Sequence, residues 1–149
     1  MQEEVSHLFN NSSHEDGYIY YQISRGVDDI RSHIYSPNIS NETFGYLTPI
    51  KFLSKSLKVG ICEDIRWGRC DIKTTQLLYP SFAKAEAYEK GFDDAWMLRD
   101  GYISEGTSNN AWIIKSGIIL TRQADDLILN GITRQSVINC AKILGYNIS

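Results

Sequence analysis

Residues 63 to 73 read Glu-Asp-Ile-Arg-Trp-Gly-Arg-Cys-Asp-Ile-Lys, a dense polar segment that ends on a single lysine. A run of β-forming residues from 57 to 66 predicts a strand that leads into it. Apolar residues at helical spacing predict a helix from about residue 75 to residue 90, and Gly91 suits the left-handed end of that helix. Lys73 is therefore expected in the connection between a strand and a helix.

Lys73 has two arginines close by in the sequence, Arg66 and Arg69. An amine forms a Schiff base with an aldehyde only when it is deprotonated, and burial or neighbouring cations favour that state. From spacing alone, a solvated lysine ahead of a helix is the simpler interpretation.

The composition is that of a globular protein the size of one ordinary domain, with 149 residues, 42% hydrophobic and 22% charged. The net charge is −3 and no run of Lys or Arg forms a basic stripe, which argues against a nucleic-acid partner. No stretch of the sequence is long and apolar enough to suggest a membrane span. The three cysteines lack metal-ligand spacing, so no metal site is predicted. Because the chain opens MQEEVSHLFN, without an apolar signal core, we expect a reduced, cytoplasmic setting.

The first third of the chain is predicted to hold a short helix, a loop and one strand, from residue 17 to residue 25. Residues 26 to about 49 contain Pro37 and an Asn-rich run from 38 to 41. This stretch is interpreted as an irregular connector between lobes that carries function.

After Gly91 the period of the pattern changes to two. Strands are predicted at residues 94 to 98, 102 to 104, 111 to 115 and 118 to 121, together forming an antiparallel meander. Two dipeptides that suit hairpin turns with positive φ separate them, Asp100-Gly101 and Ser116-Gly117. A last helix is expected from about residue 133 to residue 144, followed by the start of another strand.

Two polar motifs fall at the ends of these elements. Glu105 opens the run Glu-Gly-Thr-Ser-Asn-Asn directly after a strand, which by composition alone is an ordinary polar turn. Gly131-Ile132-Thr133 opens the last helix, where the first N–H groups suit a phosphate and Thr133 suits the cap. A capped helix without a ligand is about equally compatible with this motif.

Arg31 and His33 lie two residues apart in the connector after the first strand. An arginine and a histidine so spaced can bind a carboxylate through charge-assisted hydrogen bonds. Without further context, a solvated pair in a loop is the simpler interpretation.

In this order, the motifs resemble those of the class IV (fold type IV) pyridoxal-phosphate-dependent aminotransferases, and most resemble the D-amino acid aminotransferase branch. The resemblance spans about residue 17 to the end. It implies an α+β, D-amino acid aminotransferase-like fold that is incomplete, as expected of an internal fragment. Residues 1–34 would be the remnant of an N-terminal small lobe, 35–56 an interdomain connector and 57–149 a truncated C-terminal large domain.

The resemblance also implies a role for each motif around the cofactor, pyridoxal 5′-phosphate. Lys73 would carry the cofactor as a Schiff base and act as general base and acid. Glu105 would keep the pyridine nitrogen protonated. Leu129 would pack on the ring, and the phosphate would bind the backbone amides at Ile132 and the hydroxyl of Thr133.

For the substrate, the resemblance implies that Arg31 and His33 trap the α-carboxylate, reaching over from the neighbouring subunit of a homodimer. The expected activity is transamination between a D-amino acid and a 2-oxo acid. Alternatives are an inactive fragment of such an enzyme, or another class IV member such as a branched-chain aminotransferase or an aminodeoxychorismate lyase. A generic α+β binding domain with chance motifs is a third interpretation.

Overall fold

The structure is a computed structural model that describes residues 2–50 and 54–149. The chain divides into two compact units, with the boundary between Lys55 and Ser56. None of the helices in the described residues is long and apolar enough to cross a bilayer.

The first unit contains α1 (Gln2–Asn10), β1 (Gly17–Ser24) and β2 (Glu42–Pro49). The two strands pair antiparallel along their whole length. Tyr20 and Tyr46 are opposite each other in this ladder, and their rings stack with centroids 5.2 Å apart. Cross-strand aromatic pairs of this kind stabilise a two-stranded ribbon.

The prediction of an irregular connector from residue 26 to about 49 is wrong for its last eight residues, which form β2. The sequence Glu-Thr-Phe-Gly-Tyr-Leu-Thr-Pro contains β-formers, but it follows Pro37 and the Asn-rich run and holds a glycine. Its pairing with β1, between residues 18 to 32 positions apart, makes it a strand, and local propensity does not show such pairing. The proposed domain limits at residues 34 and 56 stay predictions.

The second unit contains two three-stranded sheets and two helices. Its elements in chain order are β3 (Val59–Glu63), α2 (Leu78–Glu89), β4 (Asp94–Arg99), β5 (Tyr102–Gly106), β6 (Ile113–Lys115), β7 (Ile118–Leu120), α3 (Ile132–Ile143) and β8 (Asn147–Ile148). One sheet has the order β3-β4-β5, with β3 parallel to β4 and β4 antiparallel to β5. The other has the order β6-β7-β8, with β6 antiparallel to β7 and β7 parallel to β8.

The expected single antiparallel meander is therefore wrong. The four predicted strands exist. Both hairpin turns have positive φ at their two central residues, which are Asp100 and Gly101 in one turn and Ser116 and Gly117 in the other. However, β5 and β6 belong to different sheets. The loop between them is bonded to Asp94, which accepts hydrogen bonds from the side chains of Thr107 and Asn109, and this draws the chain away from a third hairpin.

Parallel pairing of β3 with β4 requires a crossover, and residues 64 to 93 supply it through α2. Ala83 and Ala87 form the buried face of α2, which packs on β4. Met97 of β4, with 0% exposure, and Ile128, with 1%, are the most buried large side chains. Lys73 thus lies in the crossover connection, ahead of α2, as the sequence predicts.

The last helix begins one residue earlier than predicted. Its N-cap is Gly131, no side chain caps it, and Thr133 already lies in its first turn. The prediction that Thr133 caps the helix is therefore wrong, and its hydroxyl is left for other contacts. At the far end, Gly145 ends the helix with φ +74 and leads into β8.

Candidate active site

A cleft of about 830 Å³ opens in the second unit between three segments. They are the connection from β3 to α2, the loop from β5 to β6, and the start of α3. All five predicted cofactor residues line it, namely Lys73, Glu105, Leu129, Ile132 and Thr133. Residues from motifs up to 60 positions apart are therefore brought to one cavity.

Glu105 lies at the end of β5 and its side chain is 8% exposed. Its Oε1 accepts a hydrogen bond from Nη1 of Arg66 at 2.6 Å. Its Oε2 accepts from the side-chain amide of Asn110 at 2.9 Å and from the backbone N–H of Leu129 at 3.3 Å. A buried carboxylate is thus fixed at the cleft by three donors from three segments.

Arg66 is itself fixed by Asp64, whose side chain is fully buried. The Nε and Nη2 atoms of Arg66 donate to the two oxygens of Asp64 at 2.9 and 2.8 Å, a bidentate pair. Asp64 also accepts hydrogen bonds from Ser104 Oγ at 2.6 Å and from Arg99 Nη2 at 3.1 Å. Two arginines and two carboxylates therefore form one buried network behind the cleft.

Burial and pairing set the charge of these groups. Burial alone would raise the pKa of Asp64, but the hydrogen bonds from Arg66 and Ser104 lower it far below its usual range. Burial would lower the pKa of Arg66, but Asp64 and Glu105 raise it above its usual range. For Glu105, burial prevails over the opposing effect of Arg66 and its pKa is raised.

The start of α3 forms another wall of the cleft. The first N–H groups of a helix have no carbonyl of the preceding turn to bond, and the helix dipole adds a partial positive charge there. Gly131 passes close to Asn110, so a Cβ at this position would meet Asn110 Oδ1 at 2.7 Å. Arg134 also lines the cleft, and its Nε is buried with no hydrogen-bond partner among the described residues.

Lys73 lines the same cleft and is exposed. The two arginines near it in the sequence each have a carboxylate partner. Arg69 pairs with Asp71 at 2.9 Å, and Arg66 pairs with Asp64 and Glu105. Both arginines that lie near Lys73 in the sequence are thus paired with carboxylates.

Arg31 and His33 lie in the first unit, in the loop between β1 and β2, and both are exposed. They are absent from the lining of the cleft in the second unit. Their role at a substrate carboxylate stays a prediction.

Sequence reasoning missed Asp64, Asn110 and Arg134, and it treated Arg66 only as a cation near the lysine. For Asp64 and Arg66 a sequence signal existed. They lie two positions apart at the end of a predicted strand, and side chains so spaced point to the same side of a strand. Nothing in the sequence indicated that this side is buried against Glu105.

Residues 1–149 match the family described as amino-transferase class IV. The chain belongs to the class IV aminotransferases. It is 34% identical over 151 residues to the D-alanine aminotransferase of Bacillus licheniformis, covering 99% of this chain and 53% of that protein. The chain thus spans about half the length of the curated relatives that it matches.

Solved structures of the class IV family have the same fold as this chain. The branched-chain aminotransferase of Thermoproteus uzoniensis, solved with norvaline, matches with a TM-score of 0.83 and 25% identity over 99% of this chain and 52% of that one. The branched-chain amino acid aminotransferase of Thermobaculum terrenum, in its PLP form, matches with a TM-score of 0.79 and 22% identity over 99% of this chain and 51% of that one. The predicted α+β class IV fold is confirmed.

Class IV aminotransferases use pyridoxal 5′-phosphate, and the residues present fit this cofactor. The helix start at Ile132 and Thr133, with the unpaired Nε of Arg134 nearby in the same wall, suits a phosphate. The buried carboxylate of Glu105 suits a ring nitrogen, and Lys73 supplies an amine in the same cavity.

Proposed function

We propose that the chain carries out pyridoxal-phosphate-dependent transamination between a D-amino acid and a 2-oxo acid, with Lys73 as the lysine that holds the cofactor. One observation carries the proposal: Lys73, the buried Glu105 carboxylate and the start of α3 line a single cleft. When bound, pyridoxal phosphate supplies an electron sink for the negative charge that develops at the α-carbon of the substrate.

Each wall of the cleft has its own part in this proposal. Ile132 and Thr133 bind the phosphate through backbone N–H groups and a hydroxyl that caps no helix. Leu129 packs on the ring, and its backbone N–H donates to Glu105, so the two ring contacts are coupled. Lys73 Nζ would take the proton from the α-carbon of the substrate as general base and, as general acid, return it two atoms away in a 1,3-proton shift.

The preference for D-amino acids is supported by the Arg31-Ser32-His33 motif and by the relatives named D-alanine aminotransferase. We propose that this pair binds the α-carboxylate from the partner subunit of a homodimer. A branched-chain aminotransferase activity is the second candidate, favoured by the fold match to branched-chain enzymes.

Three free cysteines support a reducing, cytoplasmic location.

Covalent attachment of the cofactor tests the proposal. After incubation with pyridoxal phosphate and reduction with borohydride, we expect a pyridoxyl adduct on the peptide that contains Lys73, and no adduct in Lys73→Ala. Lys142→Ala is the matched control, since Lys142 is exposed on α3 and is absent from the lining of the cleft. A folded chain without a Lys73-dependent adduct would refute the proposal.

The choice of amino donor separates the two candidate activities. With 2-oxoglutarate as acceptor, the D-amino acid proposal predicts faster glutamate formation from D-alanine than from L-leucine. The reverse order would favour the branched-chain alternative and leave the assignment of Lys73 intact.

A further inference from the structure

We propose that Arg66, anchored by Asp64, is a positioning residue for a proton in the active site. Glu105 and the ring nitrogen of pyridoxal phosphate share this proton, and Arg66 keeps it on the ring nitrogen. The inference rests on the proposed function, because it concerns the bound cofactor. It assigns to Arg66 an effect on proton location in addition to its part in packing.

The geometry leaves Arg66 little freedom. Its Nε and Nη2 are held by Asp64, its Nη2 also donates to the backbone carbonyl of Leu127 at 3.1 Å, and its Nη1 reaches Glu105 Oε1 at 2.6 Å. A planar guanidinium with three of its donor atoms committed in this way cannot turn away from Glu105 without breaking several charge-assisted bonds. The cation is therefore preorganised beside one oxygen of the carboxylate.

The free acceptor positions on the Glu105 carboxylate indicate where the ring nitrogen would bind. An ionised carboxylate offers about four lone-pair positions, two on each oxygen. Asn110 and the Leu129 N–H bond Oε2, whereas within residues 2–50 and 54–149 Oε1 accepts only the Arg66 bond. The open position is thus on Oε1, so a ring N–H bound there would share its acceptor with Arg66.

The Glu105 carboxylate and the ring nitrogen are two bases that compete for one proton. If burial acted alone on Glu105, the carboxyl would hold the proton more strongly and would become an uncharged donor to an unprotonated ring nitrogen. A cation fixed 2.6 Å from the same oxygen favours the carboxylate. The proton then lies on the ring nitrogen, which is the form in which the ring withdraws electrons.

The other charges near Glu105 do not replace this effect. Asp64 is negative and would by itself favour protonation of Glu105, but it is bonded to both Arg66 and Arg99. Burial raises the pKa of the Cys70 thiol, so Cys70 adds no negative charge at neutral pH. Lys73 lines the same cleft, is exposed and is the lysine proposed to hold the cofactor. Arg66 is therefore the cation in direct contact with the carboxylate.

Two nuclear magnetic resonance measurements test the inference in the 149-residue chain. The first follows the ¹³C signal of the Glu105 carboxyl against pH without cofactor, and Glu105→Gln identifies that signal by its loss. The second records the ¹⁵N shift of pyridoxal phosphate labelled at the ring nitrogen, which distinguishes a protonated from an unprotonated nitrogen. Neither measurement depends on turnover.

Arg66→Gln is expected to raise the midpoint of the Glu105 titration by roughly one pH unit or more, as removal of a contacting opposite charge should. It should also move the bound ring nitrogen to its unprotonated shift. Arg66→Lys keeps the positive charge and should restore most of the protonated signal. Arg69→Gln is the matched control, because it removes an arginine three positions away that pairs with Asp71 and is absent from the lining of the cleft, and it should change neither signal.

Unchanged Glu105 and ring-nitrogen signals in Arg66→Gln, with cofactor bound, would overturn the inference while the proposed function stands. A wild-type chain that binds no pyridoxal phosphate would instead overturn the proposed function and with it this inference. If Arg66→Gln does not fold, as circular dichroism would show, the comparison of Arg66→Lys with wild type decides. A mostly protonated ring nitrogen in Arg66→Lys then supports the inference, and an unprotonated ring nitrogen with cofactor bound overturns it.

Discussion

Asp64 and Glu105 are two buried carboxylates that pair with the same arginine, Arg66, yet folding shifts their pKa values in opposite directions. Asp64 accepts from two guanidinium groups and a hydroxyl, so its pKa falls despite burial. Glu105 has one cation and two neutral donors, so burial prevails and its pKa rises. Folding therefore lowers the pKa of Asp64 and raises the pKa of Glu105, and the contact with Arg66 opposes the effect of burial on Glu105. Asp64 stabilises the structure as an ion through its pairs with Arg66 and Arg99.

Asp64→Asn should lower the free energy of unfolding by about 3 kcal/mol at pH 7, since it leaves two buried guanidinium groups short of a counter-ion. The folded-state pKa of Asp64 is depressed, so its contribution is present above the unfolded-state pKa of about 4 and is lost as pH falls toward the folded-state value. The wild type should therefore lose stability below about pH 4, and the difference between it and the variant should narrow there. Urea denaturation between pH 7 and pH 3 measures both.

Asp125→Asn provides the control, because Asp125 is an exposed partner of Arg122 and such pairs contribute about 1 kcal/mol or less. A difference between Asp64→Asn and wild type that stays constant down to pH 3 would contradict this account of the network.

Positions in the cleft were predictable from the sequence where a motif flanks the end of an element. The structure brings five such residues to one cavity, from the connection between β3 and α2, the end of β5 and the region where α3 begins: Lys73, Glu105, Leu129, Ile132 and Thr133. Their chemical roles stay predictions. The pairing of Arg66 with Glu105 joins residues 39 positions apart and depends on the register of β3, β4 and β5. Such pairing has no local signal in the sequence.

The loop from β5 to β6 is the element on which the cleft depends most. It is held at one end by Asp94, which accepts hydrogen bonds from Thr107 and Asn109, and at the other by Asn110, which donates to Glu105 and to the carbonyl of Leu129. Burial opposes ionisation of Asp94, but these bonds prevail and its pKa is lowered. The loop is therefore fixed to β4 by these side-chain bonds and by the backbone N–H of Thr107, which donates to the carbonyl of Ala95 at 3.2 Å, and to the segment before α3 by Asn110.

Gly131→Ala should disturb this arrangement through Asn110. The new Cβ would lie 2.7 Å from Asn110 Oδ1, so Asn110 must move and its bonds to Glu105 and Leu129 must lengthen. We expect a loss of about 1–3 kcal/mol in the free energy of unfolding, the usual cost of forcing a packed group aside. Chemical denaturation measures the loss, and weaker uptake of pyridoxal phosphate should accompany it.

Gly68→Ala is the matched control, since a Cβ at Gly68 has no atom within 4 Å. It should change stability by no more than about 0.5 kcal/mol. Equal losses of stability in Gly131→Ala and Gly68→Ala would show that the close approach of Gly131 to Asn110 is not the reason why a side chain at residue 131 is unfavourable.

Individual elements were more predictable than their pairing. Strands after Gly91 alternate in the sequence and carry positive-φ turn residues, so both hairpins were found. The expectation of one meander failed because β5 and β6 lie in different sheets, and Thr107 and Asn109 of the loop between them bond the side chain of Asp94, 13 and 15 positions earlier at the start of β4. The strand β2 was missed because its stability comes from pairing with β1, which no window of local sequence contains.

At the scale of the whole molecule, the proposed cofactor and substrate residues fall in different units. Lys73, Glu105, Leu129, Ile132 and Thr133 belong to residues 56–149, whereas Arg31 and His33 belong to the first unit. If the substrate carboxylate is bound by a partner subunit, one active site is built from two copies of the chain. A defect in Lys73 and a defect in Arg31 and His33 would then fall in the same site only when they lie on different copies.

Mixing two inactive variants tests this arrangement. One chain carries Lys73→Ala and the other carries Arg31→Gln with His33→Gln. Random pairing makes half of the dimers mixed, and each mixed dimer has one site in which an intact Lys73 meets an intact Arg31 and His33 from its partner. Transamination of D-alanine should therefore recover to about a quarter of the wild-type rate in a symmetric dimer. Mixing Lys73→Ala with a chain that carries all three substitutions should recover nothing. If the carboxylate were bound within one chain, every site in the mixed dimer would keep a defect, so a rate no higher than that of either variant alone would exclude the shared site.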